Sequence, residues 1–406
     1  MTWSRRALLG SAAAAALVPL RPVRAQQANS IKIGVLNDQS GPYRDTGGLF
    51  SFAATKLAVA EFAAPGFSVE VITADHQNKP DVGAGIARQW YDRDGVDMII
   101  DVPTSSVALA IAGVAKDKDK AYLNIGAATA DLTGKQCAPS IVHWSYDTYM
   151  LAKSTGGATV RSGGDSWYFV TADYAFGHQL QDATTRFVTA AGGKVLGSSA
   201  YPFPGTSDFS SFLLQAQASG AKVLGLCNAG ADTVNSIKQA KEFGLTMRLA
   251  AMLMFITDVN ALGLDVAGGL TLTESFYWDM NERTRAFAKR LLPLMPKPNM
   301  PNMIHAGCYA ATLHYLKAVT QIGVAAAKAS GTAAVTQMKK MPTEDDAFGK
   351  GSIREDGMAM FPSYLFQVKT PAESRGPWDY YKTLSSYPAE EAWRPLADGG
   401  CFFVKT

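Results

Sequence analysis

Three hydroxyl side chains, Thr104, Ser105 and Ser106, stand at the start of a segment with helical spacing, residues 105–115. The first turn of a helix has backbone N–H groups without intrahelical acceptors, and the helix dipole favours negative charge there. Hydroxyls at this place can therefore help to bind a carboxylate or another anion. Thr104 or Ser105 could instead only cap the helix, which is a common use of these residue types. The pattern predicts an anion site, a helix cap, or one position that serves as both.

Catalytic and cofactor signatures are absent from the sequence. It contains none of the motifs G-x-G-x-x-G, G-x-x-x-x-G-K-[ST], H-E-x-x-H and G-x-S-x-G. The five histidines are scattered, and His305 and His314 lie on opposite faces of one predicted helix, so they cannot share a metal ion. We therefore expect no cofactor, no metal site and no enzymatic activity.

Strand and helix patterns alternate along the first part of the chain. Apolar segments at 31–36, 67–74, 96–102 and 122–125 are typical of strands, and the segments 46–64, 81–91 and 105–115 between them have helical spacing. Buried strands that are separated by helices indicate a parallel sheet covered on both faces. This part of the chain is therefore expected to form one doubly wound unit.

The same alternation restarts after Tyr146. Predicted strands lie at 168–171, 194–200, 222–227, 248–253 and 269–273, with helices at 177–190, 209–218 and 232–243. Two consecutive units of this kind, without a shared glycine-rich fingerprint, predict an α/β fold with two doubly wound lobes.

The last third departs from this alternation. Helical spacing at 284–292 and 306–323 is followed by a pair of strand patterns at 361–368 and 379–384. This order suggests that the chain returns to the first lobe and then crosses back, with crossings near Tyr146, Ser275 and 348–351. The predicted boundaries are 26–146 plus 277–350 for the first lobe, 147–276 plus 351–385 for the second lobe, and 386–406 for a C-terminal tail.

The first 25 residues have the composition of an export signal. Arg5 and Arg6 precede a short apolar stretch, and the segment ends in the small-x-small pattern Val23-Arg24-Ala25. The apolar stretch is shorter than the ~20 residues that a membrane span requires. The arginine pair resembles a twin-arginine signal, and an ordinary Sec signal is the alternative. We expect cleavage after Ala25 and a periplasmic location.

Removal of this segment changes the charge balance of the chain. The whole sequence of 406 residues has 38 Lys and Arg against 35 Asp and Glu, and the signal contains four arginines and no acid. The mature chain is therefore close to neutral, whereas nucleic-acid binding needs a concentrated basic face. No nucleic-acid partner is expected.

The four cysteines fall into two classes. Cys227 ends an apolar strand and Cys308 lies within a helix, so both are typical of buried small side chains. Cys137 and Cys401 lie in polar loops, and in an oxidising compartment they could form a disulfide that fixes the tail. The alternative is that all four cysteines are free, because sequence does not determine connectivity.

Ligands of doubly wound sheets bind beyond the carboxyl ends of the strands. The loops at these ends are 39–43, 102–106, 126–129, 173–177 and 228–230. Six aromatic residues in or near such loops could supply apolar walls, although isolated aromatic residues usually belong to the core: Tyr43, Tyr146, Tyr174, Phe176, Phe255 and Tyr277.

These loops resemble those of a known family. The segment 31–36 followed by Ser40-Gly41-Pro42 is similar to the opening of the leucine/isoleucine/valine-binding proteins, the type I periplasmic binding proteins of ABC importers. Further matches lie at 102–106, 126–133, 173–177 and 207–209, in the same order and spacing. The resemblance implies two lobes joined by three crossover segments and a small-molecule ligand enclosed between them. It also implies a monomer that works with an ABC permease complex in the inner membrane.

The resemblance assigns roles to individual residues. Thr104 lies where the family places a hydroxyl on the ligand carboxylate, and Gly126 and Ala128 lie in the second carboxylate loop. Phe176 lies where a tyrosine usually covers the ligand, and small residues at 227–230 replace another aromatic wall. The candidate ligand-binding residues are Tyr43, Pro103, Thr104, Ser105, Gly126, Ala127, Ala128, Tyr146, Asp147, Tyr174, Phe176, Asn228, Phe255 and Tyr277.

One departure from the family pattern bears on the ligand. Amino-acid binders carry a carboxylate near the position of Leu253-Met254-Phe255, where this chain is apolar. A desolvated ammonium without a counter-charge is unfavourable by several kcal/mol, which disfavours an α-amino acid unless Asp147 supplies the charge. We expect a hydrophobic carboxylate, aromatic or branched. A branched-chain amino acid or amide binder, or a sensor of the same fold, are the alternatives.

Overall fold

Residues 29–62 and 66–404 are described by a computed structural model. The predicted signal segment 1–25, with its cleavage point after Ala25, lies outside the described residues. No helix of the described part of the chain is both long and apolar enough to span a membrane.

The first lobe contains a parallel sheet with the strand order β2-β1-β3-β4-β5. Its strands are β1 (Ser30–Asn37), β2 (Ser68–Asp75), β3 (Met98–Asp101), β4 (Ala121–Asn124) and β5 (Ile141–His143), connected in part by the helices α1 (Gly48–Glu61), α2 (Pro80–Asp92) and α3 (Ser105–Asp117). All residues of β3, β4 and β5 are buried, as the apolar segments predict for a sheet covered on both faces.

The second lobe contains a four-stranded parallel sheet with the order β7-β6-β8-β9. Its strands are β6 (Ser166–Ala172), β7 (Lys194–Tyr201), β8 (Val223–Cys227) and β9 (Arg248–Ala251). The helices of this part are α4 (Thr148–Arg161), α5 (Ala175–Ala190), α6 (Ser210–Ala218), α7 (Ala231–Glu242), α8 (Ile256–Leu262) and α9 (Leu264–Ala267). Both sheets are doubly wound, which confirms the predicted fold class.

The last third of the chain contributes to both lobes. The helices α10 (Glu282–Leu291), α11 (Met303–Ile322), α12 (Val324–Ala329) and α13 (Gly331–Lys340) belong to the first lobe, where α11 packs against α1. An antiparallel sheet of β10 (Thr271–Glu274), β14 (Ser363–Val368) and β15 (Tyr381–Tyr387) extends the second lobe. The short strands β11 (Thr343–Asp345), β12 (Gly349–Ile353) and β13 (Ala359–Met360) pair with one another, and α14 (Ala389–Ala392) precedes the end of the chain.

The chain passes between the lobes three times. The passages follow β5, β10 and β13. The first two passages are hydrogen-bonded to each other, because the Ser275 hydroxyl donates to the Ser145 carbonyl at 2.6 Å. The Ser145 hydroxyl in turn donates to the Met303 carbonyl at 2.9 Å. The third passage lies later than the predicted boundary at 350, since Met358 still pairs with His143 of the first sheet. The lobe boundaries themselves stay predictions.

The C-terminal tail returns to the first lobe. Cys401 forms a disulfide with Cys137, with an S–S distance of 2.07 Å, and Cys227 and Cys308 are free and buried. Trp393 is buried, and its indole N–H donates to the Phe361 carbonyl at 2.8 Å. The tail is therefore held both covalently and by packing.

Candidate ligand-binding site

A narrow cavity of about 10 Å³ lies between the lobes, beyond the carboxyl ends of strands from both parallel sheets. We call it the inner cavity. The residues that line it are Tyr43, Thr46, Pro103, Gly126, Ala128, Tyr146, Tyr174, Phe176, Ala229, Leu253, Phe255 and Ile304. None of these described residues is Asp, Glu, Lys, Arg or His, so the walls are apolar and aromatic with a few neutral polar groups.

The floor of the inner cavity is formed where β3 and β4 end. Asp101 and Val102 have positive φ angles of 86° and 59°, which turn the chain sharply before Pro103. Gly126 follows β4, and a Cβ atom at this position would lie 2.7 Å from the Pro103 Cα. Only glycine fits at this separation, so the two loops can meet and present their backbones to the cavity.

The loop that follows β4 contains a backbone N–H group without an acceptor. The Ala128 carbonyl accepts the Thr148 N–H at 2.8 Å, whereas the Ala128 N–H has no acceptor among the described residues. Ala128 is buried and lines the inner cavity. An N–H group in this position can bind an anionic oxygen of a ligand.

Three phenol groups line the same cavity. The Tyr43 and Tyr174 hydroxyls are 2.5 Å apart across the cleft, and the Tyr146 hydroxyl donates to the Gly126 carbonyl. Burial raises the pKa of all three phenols well above the ordinary value, so they stay protonated and neutral. They can recognise polar atoms without adding charge.

The lobes touch each other at the edge of the inner cavity. The Pro42 carbonyl of the first lobe accepts the Ala231 N–H of the second lobe at 3.1 Å. Gly230 has a φ of 60°, and a Cβ atom there would lie 2.5 Å from the Pro42 oxygen. Phe203 stacks on Tyr174 with ring centres 4.2 Å apart and on Tyr43 at 5.6 Å. These contacts enclose the cavity from one side.

Buried carboxyl groups lie behind these walls. The Asp101 Oδ1 atom lies next to Gly126 and has no hydrogen-bond partner among the described residues. The other carboxyl oxygen, Oδ2, accepts a hydrogen bond from the Asn37 amide at 2.9 Å. Burial raises the pKa of Asp101 to about 6. Asp258 accepts the Phe255 N–H at 2.9 Å, and burial followed by the charge of Asp45 raises its pKa to about 7.

The described residues contain no candidate metal site. Within residues 29–62 and 66–404, no group of three or more His, Cys, Asp or Glu side chains is arranged to hold a metal ion.

The sequence was compared with known protein families, curated proteins and solved structures. Residues 30–376 match the model of a family described as periplasmic binding proteins. The chain belongs to the periplasmic binding protein family. Among curated relatives, Leu/Ile/Val-binding protein homolog 4 of Brucella abortus is 24% identical over 301 residues, which are 70% of this chain and 72% of the relative.

Solved structures of this family have the same fold. A periplasmic binding protein from Burkholderia mallei is 48% identical with a TM-score of 0.88, covering 93% of this chain and 100% of that one. A branched-chain amino acid ABC transporter periplasmic ligand-binding protein from Burkholderia xenovorans is 39% identical with a TM-score of 0.79, covering 92% and 99%. A solute-binding protein from Rhodopseudomonas palustris in complex with benzoate is 19% identical with a TM-score of 0.77, covering 89% and 97%, which shows similarity of fold alone.

This periplasmic binding protein is thus a solute-binding component of an ABC transporter, in a family whose members bind small molecules and work with permeases. Several residues predicted from sequence line its inner cavity: Tyr43, Pro103, Gly126, Ala128, Tyr146, Tyr174, Phe176 and Phe255. Their contact with a ligand stays a prediction.

The predicted hydroxyl residues Thr104 and Ser105 are not among the residues that line the inner cavity of this binding protein. Thr104 occupies the N-cap position of α3 without capping it, and its hydroxyl donates to the Asn78 side chain. Ser105 is buried, and its hydroxyl has no partner among the described residues. Ala127 is also buried, and its carbonyl accepts the Asn124 amide at 2.7 Å. The neighbouring Pro103, Gly126 and Ala128 line the cavity in their place.

The remaining predicted residues have structural contacts. Asp147 accepts the Met150 N–H at 2.8 Å, caps α4 and does not line the inner cavity, and its role as a counter-charge for a ligand amine stays a prediction. Asn228 binds Ser236 and Thr233 at the start of α7. Tyr277 packs against Tyr381 in the second lobe, with ring centres 4.9 Å apart.

Two lining residues lie outside the loops singled out in the sequence. Thr46 follows the first of these loops, and Ile304 is in the first turn of α11, reached only after the chain has crossed back to the first lobe. Ala229 lies in the segment where the resemblance implies a wall, and Leu253 lies where amino-acid binders carry a carboxylate; neither was a named candidate. No motif in the sequence indicates Ile304.

Proposed function

We propose that this protein binds a small hydrophobic carboxylate, aromatic in class, between its lobes and delivers it to an ABC permease. The observation that carries the proposal is the lining of the inner cavity, whose described walls are aromatic or aliphatic and lack any ionic side chain. The cavity is far smaller here than the ~300–1,000 Å³ of ligand sites, so a solute would enter it only when the lobes separate.

The polar groups of the inner cavity favour a carboxylate over an ammonium. The Ala128 N–H can donate to an anionic oxygen, and so can one hydroxyl of the Tyr43–Tyr174 pair, because the other hydroxyl of the pair donates to its partner. The acids near the cavity, Asp101, Asp147 and Asp258, are not among the residues that line it. An enclosed ammonium would therefore have no counter-charge, and this costs several kcal/mol.

A branched-chain amino acid is the second candidate. The relative that is 39% identical is named as a branched-chain amino acid transporter component, and the curated relatives are named Leu/Ile/Val-binding homologues. The benzoate complex of the Rhodopseudomonas relative supports only the capacity of this fold to hold an aromatic acid.

Matched ligand pairs separate the two candidates. Calorimetry on unliganded protein would compare 4-methylpentanoate with leucine and 3-phenylpropanoate with phenylalanine, because each pair differs only by the α-ammonium. We expect each acid to bind at least about 100-fold more tightly than its matched amino acid. Tighter binding of leucine would replace the proposal by the second candidate, and turnover of any bound compound would contradict a binding function.

A further inference from the structure

The loop that follows β4 is connected to both lobes. We call residues 126–137 the β4 loop. Its first part lines the inner cavity through Gly126 and Ala128. Its later part contacts the second lobe, because the Asp131 carboxylate accepts the Gln179 amide of α5 at 3.0 Å. The position of the β4 loop therefore affects both the wall of the cavity and a hydrogen bond between the lobes.

A large cavity separates the β4 loop from α5 and from the C-terminal tail. It has a volume of about 480 Å³, and its walls include Asp131 and Lys135 of the loop, Arg186 of α5 and Arg394 of the tail. Segments with few packed neighbours open at a lower free energy than the core does. On this side the loop therefore depends on individual contacts to keep its position.

Arg394 supplies two of these contacts. Its Nη2 atom donates to the Ala130 carbonyl at 3.0 Å and to the Thr133 hydroxyl at 3.4 Å. Hydrogen bonds from a charged donor are about twice as strong as those between neutral groups. One nitrogen atom of the tail thus binds the β4 loop at two points.

The tail lies very close to the β4 loop. A Cβ atom at Gly134 would be 2.7 Å from the Gly399 carbonyl oxygen and 3.1 Å from the Arg394 Nη2 atom, so a side chain does not fit there. The disulfide between Cys137 and Cys401 joins the same two segments. The tail is therefore fixed beside the loop, with Arg394 directed at it.

Arg394 is held in turn by the first lobe. Its carbonyl accepts the Arg354 Nη1 at 2.8 Å, and Arg354 donates to both carboxyl oxygens of the buried Asp356, at 3.0 and 2.7 Å. Met358, two residues later, pairs with His143 of β5. Arg394 thus connects the β4 loop to the edge of the first parallel sheet.

We propose that Arg394 is a positioning residue for solute binding, which holds the β4 loop where Ala128 lines the inner cavity and Asp131 contacts the second lobe. Arg394 is not among the residues that line the inner cavity, so it acts through the loop. This inference rests on the inner cavity being the solute site of the proposed function, but not on the chemical class of the solute.

The expected effect on affinity follows from the population of the competent loop. Loss of a hydrogen bond from a charged group shifts a local equilibrium by about tenfold or more. If Arg394→Met leaves the loop in place for about one tenth of the time, the apparent affinity falls about tenfold. Arg394→Lys should stay within about threefold of the wild type, because a single nitrogen makes both contacts and an ammonium can replace it.

Two measurements on the same proteins test the proposal. Calorimetry with 3-phenylpropanoate and with leucine gives the affinity for one member of each candidate solute class. Hydrogen–deuterium exchange of the unliganded protein reports the opening of the β4 loop. In Arg394→Met the loop amides should exchange at least about tenfold faster, while the strands of the first parallel sheet keep their protection.

Matched variants separate this role from general damage. Arg186→Met removes an arginine from the wall of the same cavity, but Arg186 hydrogen-bonds to the Asp182 carbonyl of its own helix. This variant should change neither affinity nor loop exchange. Thr133→Val removes one acceptor of Arg394 and should cause a smaller loss in the same direction, which tests the contact if Arg394→Met does not fold.

The outcomes distinguish this inference from the proposed function. Wild-type affinity for the bound probe in Arg394→Met, unchanged loop exchange, or an equal loss in Arg186→Met would overturn the inference and leave the proposed function intact. If leucine alone bound, and bound about tenfold more weakly to Arg394→Met, the inference would hold and the second candidate would replace the proposed function. If neither probe bound the wild type, the proposed function would fail, and loop exchange would decide the inference by itself.

Discussion

Substitution of Gly230 by alanine should weaken ligand binding while the protein stays folded. Gly230 belongs to the second lobe, and its missing side chain lets the Pro42 carbonyl of the first lobe accept the Ala231 N–H at 3.1 Å. A Cβ atom would lie 2.5 Å from that carbonyl oxygen and 3.1 Å from a ring carbon of Tyr43. The oxygen is part of the backbone and cannot rotate away, so the lobes would have to separate.

The magnitude follows from two effects that exist only when the lobes meet. Overpacking of a tight contact costs about 1–3 kcal/mol. Loss of the hydrogen bond between Pro42 and Ala231 costs a further ~0.5–1.5 kcal/mol. Together they predict a loss of affinity of about tenfold to two-thousandfold.

A matched control accounts for the backbone conformation. Gly220 also has a positive φ, 68°, but a Cβ atom there would have no neighbour within 4 Å. Both alanine variants should lose unfolding free energy because of their positive φ angles, and Gly230→Ala should lose more, because its ψ of −135° lies outside the left-handed helical region. Only Gly230→Ala should lose affinity in calorimetry and stay extended on ligand addition in small-angle scattering. Wild-type affinity in Gly230→Ala would refute the lobe contact as part of binding.

Four further perturbations test other parts of the structure. Tyr43→Phe removes the hydroxyl that meets Tyr174, and calorimetry should show affinity weaker by about five- to tenfold at an unchanged melting temperature. Leu253→Glu places a carboxylate in the inner cavity, so amino acids should become the preferred ligands by at least about tenfold; retained preference for acids would contradict the neutral-wall argument. Cys401→Ser removes the disulfide to the first lobe and should cost about 2–4 kcal/mol in denaturant unfolding, with reductant reproducing the effect in the wild type only. Burial raises the pKa of Asp101 to about 6, so between about pH 4 and 6 the folded state holds a proton that the unfolded state releases. As pH rises through this range, the stability of the wild type should therefore fall by about 3 kcal/mol relative to Asp101→Asn. A difference in melting temperature that does not depend on pH would contradict this prediction.

The alternation of apolar strand segments with segments of helical spacing was sufficient to predict most strands of the two parallel sheets. The predicted strand 31–36 is β1 (Ser30–Asn37), and the predicted strand 194–200 is β7 (Lys194–Tyr201). These strands are short, apolar or alternating, and bounded by turn residues, so local pattern and tertiary structure agree.

Helix α4 shows where local pattern was insufficient. Its segment Thr148–Arg161 contains Gly156 and Gly157 and several threonines, which are weak helix formers. The helix forms because it packs closely against α5 and β10, where Thr184 of α5 lies beside Gly156. A single-sequence pattern does not contain this tertiary stabilisation, and the helix was not predicted.

The site was predicted at the level of loops but not of side chains. The rule that ligands bind at strand ends found the loops of Pro103, Gly126 and Tyr174, which do line the inner cavity. It did not distinguish Thr104 from Pro103, because the direction of a side chain depends on the positive φ angles of Asp101 and Val102. Such angles in non-glycine residues are uncommon, and the sequence does not indicate them.

A crystal structure of the protein with the tightest-binding aromatic or branched acid would test the central claim most directly. We predict that the ligand occupies the inner cavity, with a carboxylate oxygen within hydrogen-bond distance of the Ala128 N–H and a tyrosine hydroxyl. A carboxylate that points to solvent, or a ligand bound outside the cleft, would contradict the account.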